Sequence, residues 1–275
     1  MPESPLYRSG VEVLAFANHK GGVAKTTSCV HLAGALSRAG YRVLVIDADP
    51  QAQASYYFAE TDEEADADLQ DVLVRRTPMD KVITSTRYQH IDLLPATLAL
   101  AELDMDLVTA AKREEQVTRA IRQVEDRYDF VVIDLPPALS VTVTCCLAAS
   151  TRVLIPVGTT VWALRSLGSF LGWSSRLRQA EIITAPVLGI LPTFYDSRNS
   201  IDAEVLSVLR RRRDEDGMPL FDTVVPKRTA AEGQVREHAI VGEVGMHPDL
   251  NRAYLAFGDE VLERLGRTTR DADHG

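Results

Sequence analysis

The chain has 275 residues, 45% hydrophobic and 25% charged, an ordinary globular composition with enough length for one large core. Its formal net charge of −9 excludes a surface that is basic throughout. It leaves room for a local basic patch, because Glu60, Asp62, Glu63, Glu64, Asp66, Asp68 and Asp71 concentrate much of the acidic excess.

The three cysteines, Cys29 and the adjacent Cys145 and Cys146, are too few and too badly spaced for a disulfide framework or a four-thiolate zinc site. A reduced, cytoplasmic chain is the expectation. Residues 1–10 read as a polar tail without the apolar core of a signal peptide. No apolar run approaches the ~20 residues that span a bilayer, so no membrane partner is expected.

From Val11 to about Leu265 short apolar runs alternate with segments of helical period. The runs begin at Val11, Tyr41, Ile91, Phe130, Arg152, Pro186 and Asp222. Their brevity and β-branched content favour buried parallel strands. The pattern predicts a single α/β domain over residues 11–265: a mostly parallel twisted sheet flanked by helices on both faces. Helices are expected over Thr26–Ala39, stopped by Gly40, over parts of Leu98–Val124, from Asp202 to Gly217, and from about Leu250 to Leu265. Residues 266–275 read as a polar C-terminal tail.

Between the first strand and first helix stands KGGVAKTT, Lys20 to Thr27. Strand, loop and helix in this order form the context of a phosphate-binding P-loop. Gly21 and Gly22 let backbone amides approach phosphate oxygens, Val23 and Ala24 continue the cradle, and the helix N-terminus adds free N–H donors. Lys25 can reach the β- and γ-phosphates, the Thr26 hydroxyl can ligate Mg²⁺, and Thr27 can meet the α-phosphate. ATP and Mg²⁺ are the cofactors this predicts, on a P-loop NTPase-like fold. The ordinary GxxxxGK[ST] pattern fails because His19 and Ala24 hold its glycine positions. With a methyl at a usual glycine, the Ala24 backbone is expected to avoid a φ reserved for glycine. The deviant form KGGxxK[ST] fits, with its additional Lys20. Two strands then deliver Asp47 and Asp49 in DADPQ, and Asp134 in DLPP, to the end of the sheet where ligands bind. An isolated aspartate there is often only a turn or cap residue.

KGGVAKTT, VLVIDADPQAQAS and FVVIDLPPALS, in this order, resemble the ParA/Soj family of partition ATPases, in its short form without an N-terminal helix-turn-helix domain. IDLLPATLALAELDMDL, VLIPVGTTVWALRSLGSF and GILPTFYDSRNSIDAEVL extend the likeness over nearly the whole chain. The DPQ sequence separates it from cell-division relatives of the MinD type. The resemblance implies an ATP-bound sandwich homodimer in which Lys20 reaches the phosphates of the partner. It makes Asp49 the residue that orients attacking water, Asp134 a holder of Mg²⁺, and Asp47 an assistant near the metal. It places Pro226 and Lys227 near the adenine. It also implies slow intrinsic turnover, non-specific binding of double-stranded DNA by the dimer, nucleoid association, and release when a ParB-type centromere-binding partner stimulates hydrolysis.

The DNA-binding candidates are Arg210, Arg211, Arg212, Arg213, Lys227, Arg228, Arg236 and Arg252. The four consecutive arginines also suit a solvated helix end, where cations meet the negative dipole. Arg228 stands where many family members have Asn, a departure that touches both base and DNA contacts. Two alternatives stay open: an ATPase that positions another cargo on the nucleoid, such as a carboxysome or chemoreceptor cluster, and a nucleotide-sensing regulatory module. A biosynthetic P-loop ligase is a further class, for which the sequence names no substrate pocket.

Overall fold

A computed structural model describes residues 6–59, 65–228, 239–243 and 245–270. Seven strands form one sheet in the order β3-β4-β2-β5-β1-β6-β7. They are β1 (Glu12–Phe16), β2 (Val43–Asp47), β3 (Thr84–Ser85), β4 (Ile91–Leu94), β5 (Phe130–Asp134), β6 (Arg152–Gly158) and β7 (Val187–Thr193). Every pair is parallel except β3 with β4.

Successive side chains of a strand point to opposite faces, and both faces here are covered. Val13 and Ala15 of β1 enter one core with Leu44, Ile46, Val131 and Ile133. Leu14 and Phe16 enter the other with Val43, Val45, Phe130 and Val132. This double burial is why the strands read as unbroken apolar runs instead of alternating ones.

The helices are α1 (Lys25–Arg38), α2 (Gln53–Phe58), α3 (Leu69–Leu73), α4 (Met79–Val82), α5 (Leu103–Thr109), α6 (Gln116–Ile121), α7 (Val141–Ala149), α8 (Val161–Gln179), α9 (Ser200–Asp216) and α10 (Pro248–Arg264). α1 and α10 pack together on one face, where Gly258 lets the backbones meet: a Cβ there would lie 2.6 Å from that of Ala35. Cys145 and Cys146 are buried on α7. Part of the acidic excess is structural. Asp68 and Asp71 form a capping box on α3, and buried Asp68 also accepts from the Thr97 hydroxyl at 2.6 Å. Glu60, Asp62, Glu63 and Glu64 lie outside the described residues.

The strand expected from Asp222 does not form. The chain from residue 219 to 227 follows the edge of β7 through isolated bridges, Ile190 with Leu220 and Tyr195 with Pro226, and a bond from the Val225 N–H to the Pro192 carbonyl at 2.9 Å, without a continuous ladder. Between them Glu260 takes the backbone N–H groups of Asp222 and Thr223 at 2.9 and 3.1 Å. Glu260 thus offers those amides an alternative acceptor, and the ladder stays broken.

Among the described residues no helix is long and apolar enough to cross a membrane. Segments flanking the domain rest on it. Tyr7 donates to the Ala149 carbonyl at 2.6 Å, and Arg267 stacks on Phe130 with its guanidinium 4.8 Å from the ring centroid.

Candidate nucleotide site

The parallel strands bring three loops to one rim of the sheet. β1 leads into Lys20–Thr27 and α1, β2 ends in Asp47, and β5 ends in Asp134. The last two are register partners on adjacent strands. The start of the phosphate loop is organised by buried Asn18. Its Oδ1 accepts from the Lys20 backbone N–H at 3.1 Å and from the Ser166 hydroxyl at 3.2 Å, while its Nδ2 donates to the Pro156 carbonyl at 2.9 Å. The far end of β7 holds the loop's middle, with Thr193 Oγ1 donating to the Val23 carbonyl at 3.1 Å.

Two residues of the loop have positive φ: Gly22 at +67° and Ala24 at +61°. Ala24 therefore does not avoid the conformation reserved for glycine. It adopts it, as the residue preceding α1, at a cost of about 1–2 kcal/mol for an L-residue. Such strain is sustained where surrounding contacts over-determine the backbone.

Lys25 is buried, and its Nζ donates to the Lys20 carbonyl at 3.4 Å. Burial lowers its pKa, opposed by the charges of Asp134 and Asp49. Thr26 Oγ1 donates to Asp134 Oδ2 at 2.6 Å. Asp134 Oδ1 is buried with no hydrogen-bond partner among the described residues. Burial first, and then the neighbouring Asp47, push the Asp134 carboxyl well above the usual range. Thr27 pairs with the Tyr57 phenol. Gly21 sits where an added Cβ would be 3.9 Å from Pro137, which follows β5.

Asp47 has a different environment. Its Oδ2 accepts from the Ser55 backbone and hydroxyl, both at 2.7 Å, and its Oδ1 accepts from the Asp49 N–H at 3.1 Å. Burial raises its pKa to about 6 despite these donors. Both Asp47 oxygens thus accept from protein donors, whereas Asp134 has one oxygen that does not. Asp49 is half-buried at the rim, and its Oδ1 accepts from the Gln51 N–H at 3.0 Å. Lys20 Nζ reaches sideways, 3.5 Å from the Thr160 hydroxyl that caps α8.

The residues expected near the base lie past β7. Pro226 lines a cavity of about 520 Å³ with Tyr195, Asp196, Arg198, Arg228, His247 and Asp249. Lys227 is exposed, and its backbone N–H bonds the Tyr195 carbonyl at 2.8 Å. Asp196 and Arg198 form an ion pair with each other at 3.0 Å.

The basic candidates divide into two groups. Arg228 pairs with Asp249, and Arg252 lies 3.8 Å from the same carboxylate. Arg210, Arg211 and Arg212 are exposed at the C-terminal end of α9, whereas Arg213 is engaged by Asp214 at 3.0 Å and Asp222 at 2.7 Å. α9 has 17 residues, about 25 Å at 1.5 Å each. Its exit is level with mid-β7, where Ile190 N–H meets the Pro219 carbonyl at 2.7 Å, while the phosphate loop meets the end of β7 at Thr193. The arginines thus do not converge on the rim. Arg236 lies outside the described residues.

Sequence reasoning missed Asn18, Ser55, Thr160 and Thr193. None belongs to the quoted loop pattern; Thr160 and Thr193 act on it across 140 and 170 residues, and Asn18 is held by the Pro156 carbonyl 138 residues away.

A phosphate loop entering a helix, beside carboxylates at the ends of neighbouring parallel strands, defines a P-loop nucleotide-binding protein. A family model described as an AAA domain matches residues 11–184. The chain is 33% identical over 218 residues to the sporulation initiation inhibitor protein Soj of Bacillus subtilis, covering 78% of this chain and 84% of Soj. It is 31% identical over 260 residues to the chromosome partitioning protein ParA of Caulobacter vibrioides, covering 92% and 95%. The chain belongs to the ParA/Soj family of partition ATPases. Among solved structures it is similar to cobyrinic acid a,c-diamide synthase from Mycobacterium smegmatis with bound ADP and magnesium. The TM-score is 0.79 at 30% identity, with 94% of this chain and 98% of the other covered.

Proposed function

We propose that the chain is a Mg²⁺-dependent ATPase of DNA partition, whose ATP-bound homodimer holds double-stranded DNA without sequence preference until a ParB-type partner stimulates hydrolysis. The observation that carries the nucleotide reading is the Thr26 hydroxyl set against Asp134, whose second oxygen is buried and unpartnered among the described residues. A buried carboxylate oxygen without a donor needs an explanation, and a divalent cation beside Thr26 and Asp134 supplies one. The donor set is all oxygen, as Mg²⁺ prefers. Bound there, the ion would neutralise charge that gathers on the phosphates.

The chain's own residues do the rest. Backbone amides of Gly21 to Thr27 and Lys25 Nζ cradle and neutralise the phosphates, which suits the loose transition state of phosphoryl transfer. Asp49 orients the attacking water at the rim. Lys20, half-buried and pointing along the rim toward Thr160, reaches across to the nucleotide of a second copy. The exposed Leu139, Val161, Trp162 and Phe194 each follow the end of a strand on the same rim, an apolar surface that suits burial against that copy. With two copies meeting there, Arg210 to Arg212 of each would stand away from the interface, available to DNA. In this reading the protein is nucleoid-associated and turns over slowly on its own.

The test is phosphate release with and without Mg²⁺, DNA and a ParB-type protein. ATP turnover that needs Mg²⁺ and rises with DNA and partner together is the expected result; absence of ATP turnover under every condition rejects the ATPase reading. The likeness to the synthase favours a second reading, an ATP-dependent amide-forming ligase. Turnover that responds to a carboxylic acid and an amine donor, and not to DNA, would establish that reading instead.

A further inference from the structure

The segment from the end of β2 through α2 is pinned through one side chain. Ser55 donates its backbone N–H and its hydroxyl to Asp47 Oδ2, both at 2.7 Å. Its Oγ also accepts from the Ala96 N–H at 2.9 Å, just beyond β4. On the other side of Asp47, Oδ1 takes the Asp49 N–H at 3.1 Å. One wholly buried carboxylate therefore joins both ends of the turn, and Ser55 anchors it to the exit of β4.

Inside the turn the backbone is strained. Ala52 has φ +51° and precedes α2 with no side-chain cap, a conformation costing about 1–2 kcal/mol for alanine. The turn also closes on itself, with the Ala52 N–H on the Asp49 carbonyl at 2.8 Å and the Gln51 N–H on Asp49 Oδ1 at 3.0 Å. Asp49 is thus aimed by its turn, and the contacts fixing both ends of that turn pass through Asp47.

We infer that Ser55 is a positioning residue for hydrolysis: by binding Asp47 and receiving the Ala96 amide, it fixes the turn that aims Asp49. The hydroxyl bonds Asp47 and the Ala96 amide, neither of them in the phosphate loop, so its effect falls on the chemical step and not on nucleotide affinity. This inference rests on the reading of Asp49 as the water-orienting group.

The experiment compares Ser55→Ala and Ser55→Thr with the unaltered full chain. For Ser55→Ala, kcat should fall about tenfold to a hundredfold, while affinities for ADP and a non-hydrolysable ATP analogue stay within about threefold. Ser55→Thr keeps the hydroxyl and should recover most of kcat. Hydrogen exchange at the amides of Asp49 and Ala52 should accelerate at least about tenfold in Ser55→Ala and not in Ser55→Thr. An unchanged kcat, or a fall in affinity matching the fall in kcat without rescue by threonine, overturns the inference. If the unaltered chain hydrolyses nothing, the ATPase reading has failed, and exchange at Asp49 still decides whether Ser55 fixes the turn. Should Ser55→Ala not fold, Ser55→Cys, with a weak donor of similar size, takes its place.

Discussion

The strand-end rim and the far end of α9 are both dense in charge, but they are built in opposite ways. At the rim, Lys25, Thr26, Asp47 and Asp134 come from three chain segments and are brought together by strand register, with both aspartates wholly buried. At the end of α9, Arg210 to Arg213 are neighbours in sequence, which a helix spreads around its circumference, and one of the four is already engaged by Asp214 and Asp222. Buried charge is costly unless something compensates it, so the rim is shaped for a specific polyanion with its cation. Exposed arginines cost little and suit a surface of repeated phosphates, such as DNA.

The largest effect that would sharpen this contrast belongs to Lys20. Lys20→Ala should remove ATP-dependent dimerisation and lower turnover by at least about a hundredfold, in line with the worth of a cation supplied across an interface. Sedimentation velocity with a non-hydrolysable ATP analogue, together with phosphate release, measures both. A variant that dimerises and hydrolyses normally would make Lys20 only a partner of Thr160.

An intermediate effect tests the other region. Replacing Arg210, Arg211 and Arg212 together by Glu should weaken DNA binding at least about tenfold at low salt. It should also reduce the dependence of log affinity on log salt by about one for each phosphate that an arginine no longer neutralises. ATP-dependent dimerisation should be untouched, because these residues lie away from the rim. Loss of dimerisation in this variant would break the comparison by showing that the two ends are not separate.

How much of this the sequence could reveal follows the same division. Lys25, Thr26 and Asp134 were legible because the loop pattern and the apolar strands before each residue place them on one rim. The buried strands were legible for a related reason: coverage on both faces makes them continuous apolar runs. Ser55 and Asn18 were not, since a serine or asparagine announces nothing until a distant carboxylate or carbonyl meets it. Asp47 reads toward the metal because its position on the strand suits that role, while the protein donors around its oxygens are seen only in the fold. The run at Asp222 resembles a strand because Val224 and Val225 favour one. The competing acceptor, Glu260 on α10, is 37 and 38 residues away from the amides it takes. The arginines were legible as a cluster in sequence, but not their distance from the rim, which depends on the length and direction of α9.

The smallest effect lies within the rim and concerns Ala24. Left-handed backbone at an alanine costs about 1–2 kcal/mol, and a glycine would remove that cost while losing about 0.4–1 kcal/mol through its freer unfolded state. Ala24→Gly should therefore stabilise the protein by roughly 0.5–1 kcal/mol, a rise in Tm of about 2–4 °C at most, measurable by calorimetry without nucleotide. Nucleotide affinity should stay the same or improve slightly, because the loop would hold its shape with less strain. A fall in Tm would mean that the Ala24 methyl makes contacts worth more than the strain it imposes. The methyl would then be a stabilising part of the phosphate loop, and the strain at the rim would be sustained by packing at Ala24 itself instead of by the hydrogen bonds of Asn18 and Thr193.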